Sequence, residues 1–219
     1  GVKDDLSIGV MIGLGNIFTH VGDGHSIALM AGGGNIFTKV GGSINGAGFE
    51  DDDLTLAGMF SIGNIFTHVG NGSSIGIMLG KANIFTKVNG EKGDLTLGVM
   101  LGLGNVFTHI GDGDSIALMA GKVNVFTKIG GKTNDDEDDD LTLAGMYSAG
   151  NIFTHIGHGT TAAVMVGGKN ILTKVGDGLT IGIMAGGGNI LTHVGEGTTL
   201  GLMASTGNIF TKVGGKKDE

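Results

Sequence analysis

The chain reads as an all-β solenoid, and three observations predict it. A 19-residue unit recurs ten times, its Asn, Met and Thr hold fixed columns, and 47 Gly with no Pro punctuate it. That much Gly argues against a helix bundle, and the absence of Pro excludes a collagen triplet. Self-similarity at this period is the mark of a repeat architecture, so function is to be sought in columns of side chains.

Each unit divides into two short strands joined by Gly-rich turns. Ser26 to Ala31 is a first arm, Gly32 to Gly34 a bend, Asn35 to Val40 a second arm, and segments such as Gly22-Asp-Gly24 close the coil. The Asn column runs Asn16, Asn35, Asn64, Asn83, Asn105, Asn124, Asn151, Asn170, Asn189, Asn208, with a Met five residues before each and a Thr three after. The residue after each Thr alternates His20, Lys39, His68, Lys87, His109, Lys128, His155, Lys174, His193, Lys212, which lays a 38-residue super-period over the 19-residue one. In a 38-residue coil every Lys would stack on another Lys at about 4.8 Å, whereas a 19-residue coil separates them with mostly neutral His. The 19-residue, two-strand coil is therefore expected, ten coils making a rod of roughly 48 Å.

Strand parity puts Ile17, Thr19 and Val21 on one side and Phe18 and His20 on the other. Because Lys replaces His in alternate coils and ordinarily reaches water, the Ile, Thr and Val side is expected to face inward. An outer assembly stripe of Phe18, Phe37, Phe66, Phe85, Phe107, Phe126, Phe153 and Phe210 follows, completed by Leu172 and Leu191. In the first arm both faces are largely apolar, which implies lateral packing against a second copy or another body. The Met column reads as core or sheet packing.

One repeat domain is expected over residues 1–219, interrupted by spacer loops at 42–53, 89–94 and 131–140. Two spacers carry acidic runs, Glu50 to Asp53 and Asp135 to Asp140. These read first as solvated loops. The sharper reading is a Ca²⁺ site, since Asp5, Asp53, Asp94 and Asp140 all stand just before a strand and carboxylates suit a hard cation, although no EF-hand spacing is present. No other cofactor is implied. The His column is too widely spaced in a 19-residue coil to share one metal ion, about 9.6 Å between His residues. A Thr ladder binding ice is disfavoured by the inward parity.

Several function classes fall away. A net charge of −8, with every cation a Lys, gives no support to a nucleic-acid partner. No apolar run is long enough for a spanning helix, and without Cys there is no disulfide framework. No catalytic constellation stands apart from the repeat, so the chain is not read as an enzyme. No atypical repeat caps either end, and a following copy would space Asn208 and the next Asn16 by the same 27 residues that separate Asn124 from Asn151. The expectation is a secreted, extracellular structural element that assembles with itself, end to end by strand addition and laterally through apolar stripes.

The units Asn35-Ile-Phe-Thr-Lys-Val-Gly41 and Met100 to Gly113 resemble the short repeats in the arms of RtxA-type multifunctional RTX toxins of Gram-negative bacteria. That resemblance implies secretion and, as the alternative function, engagement of a host membrane for pore formation or effector delivery. The chain departs from the calcium nonapeptide pattern of RTX proteins. Its rhythm is also similar to that of curli-type amyloid subunits, although it has no Gln from which to build their internal ladders.

Overall fold

A computed structural model describes residues 6–41, 53–88, 94–130 and 140–214. The described residues form β1 (Leu6–Val21), β2 (His25–Val40), β3 (Leu54–Val69), β4 (Ser73–Leu79), β5 (Ala82–Val88), β6 (Leu95–Leu101), β7 (Gly104–Ile110), β8 (Asp114–Ile129), β9 (Leu141–Ile156), β10 (Thr160–Val175), β11 (Thr180–Val194), β12 (Thr199–Ala204) and β13 (Asn208–Val213). All pairing between these strands is parallel, and the long ones carry both arms of a coil through its Gly-rich bend. The register equates Met11 with Met30, Asn16 with Asn35 and Lys39 with His68, so the coil is the 19-residue one and the spacers do not disturb it. His and Lys alternate along one column, as the repulsion argument requires.

The turn Gly22-Asp-Gly24 shows why Gly is needed there: Gly22 and Gly24 sit at φ of 122° and 96°, a region closed to most side chains. At the other end of the coil the bend shifts the alternation by one residue. Ser26, Ala28 and Met30 point into the coil from the first arm, and Asn35, Phe37 and Lys39 point in from the second. The core is thus a set of axial ladders. Phe18, Phe37, Phe66, Phe85, Phe107, Phe126 and Phe153 form one column with ring centroids 4.5 to 5.1 Å apart, stacked except for the tilted pair Phe66 and Phe85, and Leu172 and Leu191 continue it. Across the coil each ring meets a small residue. A Cβ added at Gly98 would lie 2.6 Å from the ring of Phe107, and Ala28, Ala57, Ala117 and Ala144 occupy the same buried column.

The expected sidedness is therefore reversed. Phe37, Phe66, Phe85, Phe107, Phe126 and Phe153 are wholly buried, Phe18 is partly buried and Phe210 is exposed only in the outermost coil, so these residues form a core stack and not an outer assembly stripe. Ile17, Ile36, Ile65, Ile84 and Ile152 lie outside in their place. Parity assigned the right residues to a common side, but the rule that Lys must reach water chose the wrong side.

Candidate functional site

The buried Lys residues are accommodated because the coil's closing turn supplies oxygen atoms. Lys39 Nζ donates to the carbonyls of Gly22 and, at 2.9 Å, Gly24; Lys87 and Lys128 repeat this on Gly70 and Gly72 and on Gly111 and Gly113. Positive-φ Gly turns aim these carbonyls inward, which explains why the turn and the Lys occur together. Each of Lys39, Lys87, Lys128 and Lys174 has no solvent exposure.

His completes the column. Nδ1 of His109 lies 2.6 Å from the Ser115 hydroxyl and 3.3 Å from Lys128 Nζ, and His68 and His155 repeat this pairing with Ser74 and Thr161 and with Lys87 and Lys174. Since an ammonium and a hydroxyl both offer protons to Nδ1, the ring is neutral with its proton on Nε2. In His193 that nitrogen meets the Gly176 carbonyl at 2.9 Å. Burial, followed by the neighbouring Lys charges, pushes His68 and His155 down to about 3 and His109 down to about 2. Burial likewise lowers Lys87 and Lys174 to about 8.

Three of the expected Ca²⁺ ligands have their contacts in this column. Asp53 accepts the Gly24 amide at 2.8 Å and lies 3.9 Å from Lys39 Nζ; Asp140 accepts the Gly113 amide and lies 3.7 Å from Lys128; Asp94 accepts the Gly72 amide at 2.8 Å. Each spacer thus ends in a carboxylate that caps the previous turn beside a buried Lys. Asp5 and the acidic runs up to Asp52 and Asp139 lie outside the described residues. Among the described residues no group of three or more His, Asp or Glu is arranged to hold a metal ion.

One column escaped the sequence reading. From Asn16 to Asn208 each side-chain amide donates to the carbonyl oxygen of the next Asn at 2.8 to 3.1 Å, an unbroken chain of nine hydrogen bonds. The amide's second proton reaches a backbone carbonyl near the bend, such as Ala31 from Asn16. This is an Asn ladder of the kind found in stacked in-register sheets, doing what Gln would do in a curli-like coil. The invariant place of Asn within the unit, five residues after Met and three before Thr, was the signal for it.

Polar side chains inside leave apolar ones outside. The second arms present Ile or Val, then Thr, then Val or Ile in every coil. The first arms expose Ile8 62%, Leu29 52%, Phe60 65%, Leu118 52% and Tyr147 67%. On the outer surface of the coils charge is confined to the edges, with Asp23, Asp112 and Asp177 at the turns and Lys81, Lys122 and Lys169 at the bends.

The repeats match the family model described as the RtxA repeat over residues 11–28, 30–44, 62–76, 78–96, 100–117, 119–134, 149–163, 165–182 and 184–201. The chain belongs to the RtxA repeat family. No curated protein and no solved structure matches it. In this RtxA repeat chain the matched segments run through both arms and carry most of the ladder residues, with Met, Asn, Phe and His or Lys inside and Gly at the turns.

Proposed function

We propose that the chain is a non-enzymatic, rigid arm of a secreted RtxA-type protein and that it works by laying an apolar sheet against a partner. The observation that carries this reading is the outer face of the first arms. Outside its turn-edge column it bears no charged side chain along ten coils, and Leu29, Ile77, Leu118, Val164, Ile183 and Leu202 in its central column are about half exposed. A soluble protein seldom leaves so continuous an apolar face open unless something covers it. The interior ladders support the same reading, because a column of Asn amides and stacked rings resists twisting and holds the face in one plane.

Engagement of a membrane, the role suggested by the family resemblance, and packing against protein both use this face. Growth into a filament would instead use the axial edges, where β1 and β13 each have one strand partner among the described residues. Sedimentation of the purified chain with and without lipid vesicles, combined with negative-stain electron microscopy, separates these outcomes. Association with itself or with vesicles through the outer face supports the docking arm, and fibres that persist after polar substitution of that face support the filament. A monomer that ignores vesicles overturns both.

A further inference from the structure

The outer face of the first arms is not uniform, and its two irregularities are copies of each other. Leu54 to Ser61 reads Leu-Thr-Leu-Ala-Gly-Met-Phe-Ser and Leu141 to Ser148 reads Leu-Thr-Leu-Ala-Gly-Met-Tyr-Ser. Each places an aromatic knob, Phe60 or Tyr147, about two-thirds exposed, two residues beyond an outward glycine, Gly58 or Gly145. In register beside the knobs the face carries Ala31 and Ala120 on one side, and Leu79 and Val166 on the other. An open apolar depression therefore lies next to Phe60, lined by Val10, Leu29, Ala31, Gly58, Ile77 and Leu79. The two knobs stand four coils apart, about 19 Å along the axis.

A knob and a recess on one face are what a twofold interface needs, because the same patch must serve on both partners. We propose that this face docks a second copy of the chain, with the solenoid axes parallel and the strand directions opposed. The twofold runs along the axis between the columns of Gly58 and Phe60. Phe60 of each copy then enters the recess at the other's Gly58, and Tyr147 enters that at Gly145. This rests on the docking-arm reading and names its partner.

Three considerations favour a second copy over lipid or an unrelated protein. A face of ten coils by three outward residues covers about 900 Å², close to the ~800 Å² per partner of a standard stable interface. Its lack of charge offers nothing to a charged partner and nothing that repels its own image. Lipid tails would be met as well by an unbroken Leu and Ile surface, whereas an exposed aromatic beside a Gly recess is the pairing that anchors protein interfaces.

Sedimentation equilibrium on the chain and two double variants tests this. The wild type should dimerise at micromolar concentration, and Phe60→Ser with Tyr147→Ser should weaken the dimer at least tenfold. Gly58→Val with Gly145→Val should also weaken it at least tenfold, although it makes the face more apolar. Neither Gly has positive φ, and the added Cβ meets only the flexible ends of Leu29 and Leu118 at 2.9 Å, so these coils should keep their strand circular dichroism. Ile65→Ser with Ile152→Ser, on the opposite sheet, should leave the dimer intact. The proposal is overturned if the Val variant dimerises as well as or better than the wild type. It is also overturned if the wild type is monomeric, and in that case binding to vesicles would leave the docking arm standing while its absence would remove both.

Discussion

In β7 the inner residues Asn105, Phe107 and His109 alternate with the outer residues Val106, Thr108 and Ile110. By hydropathy alone His belongs outside and Val inside. The opposite arrangement holds because a stacked repeat offers most inward polar groups a partner in a neighbouring coil: Asn meets Asn, Lys meets the turn carbonyls, and the Nδ1 of His meets a hydroxyl and an ammonium. Nε2 of His68, His109 and His155 and the hydroxyls of Thr55, Thr96, Thr142 and Thr180 are buried without one. A polar column that is satisfied along the axis can be buried at little cost, while an apolar column outside costs only what a later partner can recover. Asn, Lys and His are thus buried here where a neighbouring coil supplies a hydrogen-bond partner.

The interior should show this first through pH. His68, His109 and His155 titrate near 2 to 3 when folded and near 6.5 when unfolded, so the unfolded chain takes up protons first and stability falls as the pH drops below 6.5. Denaturant unfolding at pH 7 and pH 5 should differ by about 2 kcal/mol for each of these His. Lys87 and Lys174 act in the same direction at higher pH, since their folded values near 8 lie below 10.5, and stability should rise again between pH 8 and 10.5. A pH-independent midpoint would remove the neutral His column.

Substitution sharpens the contrast between neighbours in one strand. Phe107→Ser opens a cavity in the ring stack and should lower stability by about 3–5 kcal/mol. Asp140→Ala removes the carboxylate beside Lys128 and should cost about 3 kcal/mol by leaving a buried cation and the Gly113 amide without it, with Asp140→Asn recovering the amide contact alone. Val106→Thr, one residue from Phe107 but outside, should stay within about 0.5 kcal/mol by the same unfolding measurement.

The sequence made the solenoid, its 19-residue coil, its bends and the grouping of residues into columns legible, because all of these follow from period and register. Sidedness was not legible. Lys39 was read as a surface residue since nothing in a single repeat reveals that Gly22 and Gly24 turn their carbonyls inward. The same blind spot hid the Asn ladder, whose bonds join residues 19 or more apart, and the contacts that Asp53 and Asp140 make with a turn amide and a Lys of the preceding coil.

Amine acylation of the native chain at neutral pH, read residue by residue by mass spectrometry, tests the inverted core most directly. Lys81, Lys122 and Lys169 at the bends should be modified quickly, while Lys39, Lys87, Lys128 and Lys174 should be protected until the chain unfolds. Equal rates for Lys122 and Lys128 in the folded chain would contradict the account and return the Phe column to the outside.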